Sequence, residues 1–132
     1  MRFFNKNFDN VLEKFITYVR EESLKSSELS GFNIVAVKPE NINSSTLIIE
    51  DFGFSEVTDG VIREYSIRIH YIAKDLSHYQ NARAIERLDK IVNSCTGVSM
   101  LYADIESISY SNNFENEERQ ALINVNLTVR AV

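Results

Sequence analysis

Between Arg63 and Asn93 the hydrophobic period of the chain changes from two to 3.6 residues with no linker between. That switch constrains the fold more than any other feature. In the segment Arg63–Asp75, Tyr65, Ile67, Ile69, Tyr71 and Ala73 share one parity, while Glu64, Ser66, Arg68 and His70 share the other. Such alternation specifies a strand with one buried and one wet face. From Ser77 onward Ile85, Leu88, Val92 and Cys95 mark one helical stripe, with Ala84 and Ile91 beside it, so an amphipathic helix follows the strand at once. Ser77-His-Tyr-Gln80 fits a capping box, and Gly97 is placed to end the helix as a left-handed residue.

The rest of the chain arranges itself around this strand–helix unit. A first helix is predicted over Asn7–Leu24, with Phe8, Val11, Leu12, Phe15, Ile16 and Val19 as its buried stripe; Phe3 and Phe4 before it either pack beneath its start or stand exposed for docking. Ile34–Val37 reads as a short strand closed by Pro39, whose missing N–H suits a strand end. Leu47–Glu50 is the second strand, and Phe52-Gly-Phe54 leads away from it. Glu56-Val-Thr-Asp-Gly60 carries an Asp-Gly hairpin signal. The fourth long segment, Ser99–Ser111, changes phase: Leu101, Ala103 and Ile105 share one parity, Ile108 and Tyr110 the other. That slip predicts a bulge near Glu106–Ser107. A charged loop over Asn112–Arg119 precedes the final strand, Ala121–Ala131. There Ala121, Ile123, Val125, Leu127, Val129 and Ala131 point inward, which predicts a well-paired position, since so long an unpaired edge invites aggregation. The predicted fold is therefore α+β in the order α-β-β-β-α-β-β, with one mostly antiparallel sheet packed against two helices.

With 132 residues the chain is read as a single domain, 1–132, large enough for a real core. The lone cysteine, Cys95, forms no internal disulfide and sits on the apolar side of the second helix as a small core residue. No apolar run approaches the roughly 18 residues of a membrane span, and Met1-Arg-Phe-Phe-Asn-Lys lacks the apolar core of a secretory signal. A formal net charge of −5 argues against nonspecific affinity for nucleic acid or anionic lipid.

The search for chemistry is mostly negative. The four glycines never cluster into a phosphate loop, and no CxxC or HExxH occurs. His70, Asp75 and His78 form the only grouping that resembles a metal or acid–base set, and they read as exposed histidines near a loop. The expectation is no catalytic residue, no metal, no cofactor and no enzymatic activity. Acidic residues gather twice: Glu50, Asp51, Glu56 and Asp59 around one hairpin, and Glu115, Glu117 and Glu118 in a later loop. Neither group has the register of a calcium loop, and both read as solvated loop faces. On the second helix Arg83, Arg87 and Lys90 alternate with Glu86 and Asp89, the pattern of a solvent-facing or interface helix.

The helix Asn7–Leu24, the strand Glu64–Lys74, the helix start Asp75-Leu-Ser-His-Tyr-Gln-Asn-Ala-Arg-Ala-Ile-Glu-Arg-Leu-Asp-Lys-Ile91 and the alternating terminal strand together resemble the tail terminator (tail completion) proteins of long-tailed bacteriophages. The resemblance spans nearly the whole chain and rests on pattern and element order; no catalytic or ligand motif comes with it. It implies a structural virion protein that closes into a homo-hexameric ring, caps the tail tube protein and presents a face to a head-side connector protein. DNA would pass through as cargo, no membrane would be involved, and the location would be the tail–head junction of the virion after assembly in the host cytoplasm. An acidic lining suits a passage to which DNA must not adhere. Glu50, Asp51, Glu56, Asp59, Glu115, Glu117 and Glu118 are the candidate lumen-facing or partner-facing residues. Three alternatives stay open. One is another head–tail joining or neck protein, including the terminator of a contractile sheath. Another is a ligand-binding or enzymatic α+β domain with its pocket between sheet and helices, for which Tyr65 and Tyr71 are the only inward polar handles. The last is a bacterial immunity or adaptor module that forms a heterodimer.

Overall fold

Four strands of 13 residues each dominate the molecule, and every other element is placed by them. The computed structural model describes residues 10–58, 61–98, 101–113 and 118–130. Its elements are α1 (Val11–Leu24), β1 (Asn33–Val35), β2 (Thr46–Thr58), β3 (Ile62–Lys74), α2 (His78–Asn93), β4 (Thr96–Val98), β5 (Leu101–Asn113) and β6 (Glu118–Arg130). The six strands form one sheet in the order β1-β2-β3-β6-β5-β4, curled into a half-barrel.

The sheet corrects the predicted fold class. β1 runs parallel to β2, pairing Asn33 with Thr46 and Val35 with Ile48, so the sheet is mixed and not the mostly antiparallel one expected. A three-residue strand is too short to show a period, and parallel pairing depends on where residues 36–45 carry the chain, which no local pattern records. A further short strand, β4, was also unread. Gly97 does not end α2: the helix closes at Ser94 in ordinary right-handed geometry. The φ of +93° at Gly97 instead serves the register shift between Thr96 and Val98 against β5, a bulge that favours glycine.

Other expectations hold. β6 lies between β3 and β5, paired along its whole length with both. Its inward residues Ala121, Ile123, Val125, Leu127 and Val129 are all buried. The bulge in β5 falls between Ile105 and Ser107. The capping box of α2 is complete: Gln80 N–H donates to Ser77 Oγ at 3.1 Å, and Ser77 N–H donates to Gln80 Oε1 at 2.8 Å. α1 is shorter than the expected Asn7–Leu24: it begins at Val11 behind Asn10, which adopts φ 58°, a conformation asparagine tolerates better than most residues but one that breaks the helix. Phe3, Phe4, Phe8 and Ala131 lie outside the described residues.

Both helices cover the same face of the sheet, α1 over β1 and β2 and α2 over β5. Phe15 and Val19 from α1, Leu88 and Val92 from α2, and Ile49, Ile67, Ile69, Tyr71, Ile123 and Leu127 from the strands make one core. Full burial of such a side chain contributes about 1.5–3 kcal/mol. Two tyrosine hydroxyls fasten the layers together. Tyr18, absent from the predicted stripe of α1, donates to the Ile91 carbonyl of α2 at 2.7 Å. Tyr71 of β3 donates to Asn81 Oδ1 at 2.7 Å, and the Asn81 amide donates in turn to the Leu76 and Ser77 carbonyls. The start of α2 is thereby tied to the strand that precedes it. Burial first of all pushes the Tyr18 hydroxyl up to about 12 and the Cys95 thiol up to about 11, so both are neutral groups of the interior.

Candidate functional site

The β2–β3 hairpin becomes exposed toward its turn. Leu47 and Ile49 of β2 face Tyr71 and Ile69 of β3 inside the core. The next core-parity position, Asp51, pairs with Ile67 but is exposed. A bulge follows between Asp51 and Phe54. Gly53 takes φ +110° there, a left-handed value that glycine reaches without strain, and its N–H is held by Asp51 Oδ1 at 2.8 Å.

The extra residue changes where the two aromatics point. Phe52 lies on the helix-free face, with the Arg68 guanidinium 4.1 Å from its ring centroid. Phe54 turns to the other face against Tyr65, with centroids 5.2 Å apart, and the Arg63 guanidinium sits 4.2 Å from its centroid. Arg63 also meets Glu56 at 3.2 Å. These stacked cations each cover one side of a ring and leave the rest bare. Phe52, Phe54, Val57 and Val61 remain between 40% and 56% exposed.

The hairpin also keeps a long unpaired edge. β1 covers β2 only over Thr46–Ile48, so among the described residues nothing pairs with the outer edge of β2 from Ile49 to Thr58. Three acids punctuate that edge. Asp51 and Glu56, expected beyond the end of the strand at Glu50, lie with Glu50 within β2, because the strand continues through the bulge where the alternation seemed to stop. Glu50 is in ion-pair contact with His70 across the strands. Asp59 lies outside the described residues.

The second acidic group is elsewhere. Glu118 is the first residue of β6 and forms an ion pair with Lys74 Nζ at 3.3 Å; it also accepts from the Gln120 amide. Glu115 and Glu117 lie outside the described residues. Arg63 and Lys74, the partners of Glu56 and Glu118, stand at opposite ends of β3, roughly 35 Å apart at the usual rise per residue. Glu56 and Glu118 therefore lie far apart along the sheet.

On the outer side of α2, Arg83 and Arg87 reach the same carboxylate, Glu28, at 3.3 and 3.4 Å. Lys90 meets Glu86 at 3.6 Å, and Tyr79 accepts from Arg83. A shallow cavity of about 330 Å³ is lined by these side chains and Ala82. The Ser26 hydroxyl, then the Glu28 backbone N–H and the two arginines, hold the Glu28 carboxyl down at about 2. The pattern of the helix announced this face; its anchoring acid, 55 residues before Arg83 in sequence, was invisible there.

His70, Asp75 and His78 do not form a set. His70 pairs with Glu50, while His78 Nδ1 stands 2.8 Å from an Arg119 nitrogen. Among the described residues no three of His, Cys, Asp or Glu gather as a metal site, and no helix is long and apolar enough to cross a membrane. The aromatic hairpin end is the surface that sequence reasoning missed. Phe52-Gly-Phe54 read as a departure from the strand, although Arg63 and Arg68 sit at the strand spacing needed to cover it. Compared with models of known protein families and with characterised proteins, the sequence matches none.

Proposed function

We propose that this chain is a structural assembly subunit that associates with copies of itself into a ring of the kind that closes a phage tail. The observation that carries the self-assembly is the hairpin end: Phe52 on one face, Phe54 on the other, and Val57 and Val61 all stand 40% to 56% exposed there. Single surface apolar residues need no partner, but four of them gathered at the end of one hairpin favour an interaction site. The phage-tail role rests on the order of elements, helix, strands, helix and strands, that the chain shares with the tail terminators.

In this reading the two ends of the sheet have different tasks. The aromatic, acid-flanked hairpin joins neighbouring subunits, and the end of the sheet near Glu118 meets the tube or the connector. The purified protein is expected to show one discrete oligomer by light scattering across a concentration series, and closed rings by electron microscopy. A strict monomer throughout the series would contradict the proposal.

A further inference from the structure

Away from the hairpin, the last turn of α1 and the edge strand β1 enclose a cavity of about 390 Å³. Arg20, Ser23, Leu24, Leu29, Phe32 and Ile34 are among the residues that line it, and none of its lining residues is an acid. The volume falls within the range of small-molecule sites, roughly 300–1,000 Å³, which are mostly apolar with a few placed polar groups. Leu29 is wholly buried at its base, Leu24 stands exposed at its rim, and Phe32 is braced against Tyr71 with ring centroids 5.3 Å apart.

Two polar side chains of this cavity are only partly accounted for by the fold. Ser23 is 1% exposed, and its Oγ has no hydrogen-bond partner among the described residues. A buried hydroxyl is normally paired, so an orphan of this kind requires an account. Arg20 lies three residues earlier, on the same face of the helix. Its Nε and Nη2 both donate to the Ile34 carbonyl, at 3.1 and 2.8 Å, which fixes the plane of the guanidinium at the edge of the sheet. That contact occupies one side of the fork. A guanidinium has further donors, and the parallel pair at its tip, one N–H on each Nη, stays unused. Among the described residues no Asp or Glu forms an ion pair with Arg20. A held cation without a counter-ion and a buried hydroxyl without a partner therefore share one apolar-walled cavity.

We infer that the cavity between α1 and β1 binds a small monocarboxylate with a short apolar body. The carboxylate accepts both N–H groups at the tip of Arg20, the bidentate geometry that a guanidinium matches. The Ser23 hydroxyl donates to the same head, and Leu24, Leu29 and Phe32 cover the apolar body. One cation among neutral hydroxyls balances a single negative charge, which favours a carboxylate over a phosphate dianion. The site uses no residue of the β2–β3 hairpin, so it stands or falls independently of self-assembly.

Ligand-detected saturation-transfer NMR on the wild-type protein, with hexanoate as the probe, tests the site. Hexanoate is expected to bind saturably in the millimolar range or below. 1-Hexanol keeps the apolar body without the charge and should bind about tenfold more weakly or worse, as loss of a charge-assisted contact implies. Ser23→Ala removes the hydroxyl and suits a helix, and should weaken hexanoate severalfold; a hydroxyl that serves no ligand would leave the affinity unchanged. Arg20→Gln should abolish the preference for hexanoate over the alcohol. Should its circular dichroism depart from wild type, Arg20→Lys takes its place, since lysine keeps the charge but loses the fork, and hexanoate should again weaken. The inference is overturned if hexanoate shows no saturable binding, if the alcohol binds as tightly, or if the Ser23 or Arg20 variants keep wild-type affinity.

Discussion

The two halves of the β2–β3 ladder are built from the same pair of strands, yet they end in different environments. In the half nearer α2, Leu47, Ile49, Ile69 and Tyr71 lie under the helices and are wholly buried, and the Tyr71 hydroxyl is spoken for by Asn81. In the distal half Tyr65 is still part of the buried core, but Phe54 beside it at the same core parity stands 51% exposed, and Tyr65 and the Arg63 guanidinium supply what cover its ring has. Alternation decides which way a side chain points. It does not decide whether anything lies on top, because that depends on the reach of α1 and α2. An apolar residue left bare by its own chain is where a second chain has most to gain from burial.

The contrast can be broken most strongly from the covered half. Ile69→Ala should lower the unfolding free energy by about 2–5 kcal/mol, the usual range for truncation of a fully buried aliphatic residue, as read from urea denaturation. Phe54→Ala, at the matching parity of the bare half, should cost about 1 kcal/mol or less in the monomer while reducing self-association. Comparable losses of stability at the two positions would erase the distinction.

Tyr71→Phe tests the tie between β3 and α2. Asn81 Oδ1 would then be buried without its donor, at about 1–3 kcal/mol, and the same urea titration reads it. Ser77→Ala removes one half of the capping box and should cost about 1 kcal/mol; a loss near zero would mean that the Tyr71–Asn81 contact alone holds the helix start.

The smallest effect concerns pH. Burial raises Tyr18 from 10.0 to about 12 and Cys95 from 9.0 to about 11. Both groups bind their protons more tightly in the folded chain, so their contribution is complete below the unfolded values and fades as pH rises through the folded ones. Stability should therefore decline between about pH 9 and 12, and Tyr18→Phe should flatten the upper part of that decline. An unchanged slope in that variant would assign the loss to other groups.

Much of the covered half was legible in the sequence. The parity of β3 and β6, the phase slip in β5 and the Ser77–Gln80 cap each depend on neighbours within a few residues, and each appears in the structure. What stayed hidden depends on distance or on a break in period. Gly53 interrupts the alternation of β2, so the strand seemed to end at Glu50 and the acids that follow seemed to be loop residues. β1 is too short to carry a period, and its parallel pairing is a property of the path of residues 36–45. The hydrogen bond from Tyr18 to Ile91 spans 73 positions, and the anchoring of Arg83 and Arg87 by Glu28 spans more than fifty. The candidate surface was hidden for the same reason, since its bareness depends on where the helices stop.

The most direct test of the central claim is amide hydrogen exchange of the wild-type protein, measured by mass spectrometry at low and at high protein concentration. If the hairpin end joins the subunits, the amides of Phe52–Thr58 exchange quickly in dilute solution and slow markedly as concentration rises, while those of β6 stay protected throughout. Exchange in Phe52–Thr58 that does not respond to concentration would contradict the account.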